Sequence, residues 1–79
     1  DLESVTFSKY AVPLELNGTT KDMEYRVNDG IWQKCIDGNT KLKRNDGVTD
    51  LNVLGDVYKL ELRDGKTGQQ TNQITVYLK

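Results

Sequence analysis

The densest chemistry on this chain is a short cationic stripe, Lys41, Lys43 and Arg44, in a protein of 79 residues. Cations at that spacing suit an acidic partner, either the carboxylates of an acidic glycan or those of another protein. Tyr77 is turned by alternation away from Ile74, Val76 and Leu78, and an outward Tyr is enriched at binding surfaces. Tyr10 opens an apolar series further upstream. Tyr77, Tyr10, Lys41, Lys43 and Arg44 are therefore the candidate ligand-binding residues. The competing reading of the stripe is protective, because charges on an edge strand keep other chains from pairing with it.

Other residues carry weaker chemical readings. Trp32 is the single tryptophan. Its flat face suits the C–H face of a sugar, but large aromatics in small β proteins are usually core, and core is the expectation here. Cys35 is the single cysteine, so an internal disulfide is excluded. A reactive thiol needs a cationic, accessible setting; Lys34 is adjacent, but the chain has no His to form a dyad. A small half-buried side chain is the simpler reading of Cys35. Asp46, Asp50 and Asn52, with Asn45 and Asp56 nearby, offer oxygen donors for Ca²⁺. The terminal bidentate Glu of an EF-hand is missing, and turn-forming chemistry explains these residues as well. Asn17-Gly18-Thr19 matches the N-glycosylation acceptor pattern and reads as a turn. The carboxylates sit in turns with no deep pocket implied, so an enzyme is not expected. No catalytic, metal-ligating or cofactor-binding residue is assigned.

Bulk properties narrow the setting. A chain of 79 residues has room for one domain, spanning 1–79, and one core. Apolar residues make up 35% of it, and a domain this small buries only about 60% of the surface its unfolded chain exposes. A net charge of −1 gives no basic excess to collect phosphates, so nucleic acid is not an expected partner. No apolar run approaches the roughly 20 residues of a membrane helix. A start at Asp1 rather than Met suggests a processed protein or an excised module.

The elements that must position these residues follow period-two alternation rather than helical spacing. Val5 and Phe7 alternate with Thr6 and Ser8. Tyr10, Val12, Leu14 and Leu16 share one face, and Pro13 marks an edge strand or one that switches sheets. Residues 17–22 form a polar turn. The Asp29-Gly30 pair suits a two-residue type I′ turn between Met23–Val27 and the strand carrying Trp32. That register pairs Val27 with Trp32, Tyr25 with Lys34 and Met23 with Ile36. Met23, Tyr25, Val27, Trp32 and Ile36 then form one apolar surface interrupted by Lys34, with Glu24, Arg26, Gln33 and Cys35 opposite. Residues 40–44 suggest a short strand with its charges outward, and Leu51, Val53 and Leu54 an irregular crossing or short helical turn. Tyr58, Leu60 and Leu62, then Ile74, Val76 and Leu78, form two closing strands joined by the polar link 64–72. The result is an all-β, antiparallel chain of about seven short strands.

A family resemblance enters at this point. Met23-Glu24-Tyr25, Asp29-Gly30, Trp32, the Gly55–Arg63 stretch with Tyr58, and Ile74-Thr75-Val76 resemble the Ig-like or fibronectin-III-like modules of bacterial surface proteins, secreted glycan-active enzymes and some phage tail proteins. The likeness covers most of the chain from Met23 onward. It departs where Ile31 stands in place of a second turn glycine, and in the charge of the middle segment. The resemblance implies a small antiparallel Ig-like β-sandwich and an extracellular or cell-surface location. It further implies a non-catalytic accessory, spacer or adhesion module whose partners are neighbouring domains of the same polypeptide. The alternative is a carbohydrate- or protein-binding module using exposed aromatics and loops, with a glycan or host protein as its partner. A monomer without membrane insertion is expected.

Overall fold

The computed structural model describes residues 2–71. Its strands are β1 (Thr6–Ser8), β2 (Glu15–Thr19), β3 (Met23–Val27), β4 (Trp32–Lys34), β5 (Gly38–Lys41), β6 (Leu60–Asp64) and β7 (Gln70–Thr71). They form two antiparallel sheets, in the orders β1-β2-β5 and β4-β3-β6-β7. Two 3-10 turns, Leu2–Ser4 and Leu54–Asp56, are the helical elements among the described residues. None of these is long and apolar enough to cross a membrane.

Alternation on β3 decides how the core is built. Met23, Tyr25 and Val27 are buried while Glu24 and Arg26 are half-exposed. Leu60 and Leu62 pair with Val27 and Tyr25 and are likewise buried. Leu14 and Leu16, leading into and lying on β2, join the same buried cluster, with Leu42, Leu51 and Val57 from the long connection. One core therefore draws on both sheets, and burying that apolar surface is its main source of stability.

The hairpin register differs from the sequence expectation by one residue. Arg26 faces Trp32, Tyr25 faces Gln33 and Glu24 faces Lys34. The positive φ values fall on Asn28 (54°) and Asp29 (60°) rather than on Asp29 and Gly30. Asn28 is pinned there by tertiary bonds. Its amide donates to the Lys59 carbonyl at 2.8 Å, and its Oδ1 accepts from the Tyr58 and Lys59 amides at 2.8 and 3.1 Å. Its Nδ2 donates to the Asp56 carbonyl at 2.7 Å. Gly30 follows, its amide bonded to the Val27 carbonyl at 2.9 Å. A Cβ there would collide with the Asn45 side chain.

A one-residue slip moves every side chain of a strand to the other face, and four expectations change with it. Trp32 leaves the core and sits half-buried beside Arg26, whereas Cys35 enters the core. Ile36 is 59% exposed, and Lys34 points out rather than intruding on an apolar surface.

Smaller corrections have local causes. Tyr10 and Val12 are exposed, and only Leu14 and Leu16 of that series are buried. Residues 9–13 are turn and bend, because the ladder begins only past Pro13, which has no N–H to offer. The segment 17–22 is not all turn. β2 continues to Thr19 through a register shift at Gly18, whose φ of 86° suits glycine. Strand β5 starts two residues earlier than expected and ends at Lys41, and Tyr58 lies outside β6 with its ring exposed. Leu51 and the turn at Leu54–Asp56 do anchor the crossing, although Val53 is exposed. The expected closing strand through Ile74, Val76 and Leu78 lies outside the described residues.

Candidate binding groove

The crossover from β4 to β5 is held by a closed chain of hydrogen bonds. The Ile36 amide donates to Thr40 Oγ1 at 3.0 Å, Thr40 and Thr19 share a hydroxyl–hydroxyl bond of 2.7 Å, and Thr19 Oγ1 donates to the Ile36 carbonyl at 2.7 Å. Both threonines are buried. This fixes the outer strand of one sheet beside the outer strand of the other.

Between those two edges lies an open groove of about 480 Å³. It is lined by Gln33 and Lys34 of β4 with Ile36 just beyond, by Asn39, Thr40 and Lys41 of β5, and by Lys43, Gly47 and Tyr25. Tyr25 Oη donates to Gln33 Oε1 at 3.2 Å and accepts from the Lys43 amide at 2.8 Å. Burial is the main reason its pKa is raised, so the phenol stays neutral. Gln33 Nε2 reaches the Lys43 and Arg44 carbonyls at 3.3 and 3.0 Å, tying β4 to the loop that follows β5.

The groove is cationic. Lys34 and Lys41 are exposed at its rim. Lys43 is paired with Asp50 at 2.5 Å, and an exposed pair of that kind is weak enough to open to a competing anion. Of the ligand-binding residues expected from sequence, Lys41 and Lys43 are brought together here. Arg44 is turned to Asp56 at 2.6 Å instead. Tyr10 is 85% exposed in the turn after β1, with Lys9 Nζ 5.6 Å from its ring centre, and is not part of the groove. Tyr77 lies outside the described residues. Lys34, Gln33 and Asn39 were missed. The signal for Lys34 was its conflict with an otherwise apolar face, which a corrected register resolves.

The remaining candidates resolve individually. The Trp32 ring lies under two guanidiniums, Arg63 at 4.1 Å and Arg26 at 4.8 Å from its centre. A sugar stacking where those guanidiniums sit would have to displace them. Burial, above all, pushes the Cys35 thiol up to about 11, far from thiolate chemistry at neutral pH. Asp46 caps its own turn, accepting from the Thr49 hydroxyl and from the Val48 and Thr49 amides, and these bonds bring its carboxyl down to about 2. With Asp50 and Asp56 committed to Lys43 and Arg44, that loop is satisfied internally. Among the described residues no group of three or more His, Cys, Asp or Glu is placed to hold a metal ion.

No protein-family model matches this chain, and no curated protein or solved structure matches it either.

Proposed function

We propose that this chain is an Ig-like β-sandwich module of a larger bacterial secreted or cell-surface protein, acting as a non-catalytic accessory or spacer unit. The observation that carries the reading is the strand order. Ig-like sandwiches place strands A, B and E in one sheet and C, F and G in the other, some adding C′ beside C. The orders β1-β2-β5 and β4-β3-β6-β7 correspond to A-B-E and C′-C-F-G. Steps β2 to β3, β4 to β5 and β5 to β6 each change sheet, in keeping with the Greek-key wiring of such sandwiches. A shared core makes the unit stiff, and stiffness is what a spacer needs.

The test is replacement of residues 1–79 in the parent polypeptide by an unrelated sandwich of similar length. Retained activity and surface display of the parent is the expected result. Loss of either, with the replacement folded, rejects a purely spacing role. A second reading, a binding module, is favoured by one observation, the cationic groove between the β4 and β5 edges.

A further inference from the structure

We propose that the groove accepts an extended acidic peptide segment, which adds as a strand to the edge of β5 that pairs with no other strand among the described residues. This deepens the binding reading of the groove and rests on it.

The ladder between β2 and β5 supplies the first argument. The Leu42 amide donates to the Leu14 carbonyl at 2.9 Å, and Leu16 faces Thr40 in the same register. In an antiparallel pair, bonded and non-bonded partners alternate. The Leu42 amide and the N–H and C=O groups of Thr40 therefore face β2, the Leu42 carbonyl accepting instead from the Leu51 amide at 3.0 Å, while Asn39 and Lys41 direct their groups to the opposite edge. That edge is the wall of the groove. An extended peptide pairs with such an edge through its main chain and gains specificity from its side chains. The four residues Gly38–Lys41 offer a template about 13 Å long.

Charge selects the partner. Lys34, Lys41 and Lys43 surround the place the added strand would occupy. Side chains alternate along a strand, so a segment bearing Glu or Asp at every second position would present its carboxylates together to these ammonium groups. The same lysines repel a second copy of this edge, so protection against self-pairing and admission of an acidic strand come from one device.

The experiment titrates the ¹⁵N-labelled chain with a capped peptide alternating Glu and Thr, following amide exchange at Asn39 and Lys41. Saturable binding with slowed exchange at both amides is expected. Lys34→Glu with Lys41→Glu should weaken it by about tenfold, and a peptide alternating Lys and Thr should bind this variant better than the unaltered chain. Both lysines are exposed, and the amide spectrum reports whether the variant is folded. Equal binding by a version of the Glu peptide N-methylated along its pairing edge overturns strand addition. Binding of oligogalacturonate in the groove, without the peptide, overturns the peptide assignment but leaves a binding role. If neither ligand binds, both the inference and the binding reading fail.

Discussion

The Arg63 guanidinium carbon lies 4.1 Å from the centre of the Trp32 ring, while the same side chain donates to Glu24 Oε1 at 2.7 Å. Trp32 on β4 and Arg63 on β6 are separated by β3, so the contact bridges three strands on the outer face of the sheet. Cation–π contacts at partly exposed sites contribute about 0.5–1 kcal/mol. Arg63→Gln should lower the urea midpoint by an amount matching about 1 kcal/mol and make Trp32 emission easier to quench with acrylamide. Unchanged quenching would place the ring elsewhere.

Glu61 is only 2% exposed although it points to the outer face. Arg26 donates to it through two nitrogens at 2.8 and 3.0 Å, and Gln70 through its amide at 3.1 Å. Removing one partner of such a pair leaves a poorly compensated buried charge, at a cost of about 3 kcal/mol. Arg26→Met should therefore destabilise strongly in equilibrium unfolding, and adding Glu61→Leu should recover much of the loss. Additive losses in the double variant would contradict the pairing.

Thr40 holds the β4–β5 crossover through its hydroxyl. Thr40→Val preserves shape but strands the Ile36 amide and takes one partner from the Thr19 hydroxyl, which keeps the Ile36 carbonyl, and an unsatisfied buried group costs about 1–3 kcal/mol. Thr40→Ser should behave close to the original. The comparison is made by thermal unfolding, and a valine variant as stable as the serine one would sink the hydrogen-bonded chain.

Cys35 predicts a pH dependence. Its thiol is raised to about 11 from an ordinary value of 9.0, chiefly by burial. Above the ordinary value the unfolded chain loses this proton while the folded chain keeps it, so the unfolded state binds fewer protons and stability falls as pH rises. Its contribution is intact below about 9 and lost between about 9 and about 11. Cys35→Ala should be less stable at neutral pH but should show a flatter stability profile over that alkaline window. Native Cys35 should react with a thiol reagent only as the chain opens.

The parts that were legible from sequence are those where one pattern had one meaning. Met23, Tyr25 and Val27 alternate cleanly, as do Leu60 and Leu62, and their burial follows. The hairpin turn was not, because Asn28-Asp29-Gly30 can close as a two-residue turn at Asp29-Gly30 or as the three-residue loop that the pairing of Arg26 with Trp32 requires. The choice between them is made by Asp56, Tyr58 and Lys59, which hold Asn28 from across the fold. No local pattern carries that information, and the faces of Trp32, Cys35 and Ile36 depend on it. The groove was half legible: the charge of Lys41 and Lys43 could be read directly, but not the arrival of Lys34 beside them.

The most direct test of a single stiff module is whether its two sheets unfold together. Trp32 fluorescence reports on the four-stranded sheet, and amide protection at Leu16 and Thr40 reports on the three-stranded one. Coincident urea midpoints are the expected result, since both sheets share one core. Loss of Leu16 and Thr40 protection at a lower urea concentration, with Trp32 emission still native, would contradict it.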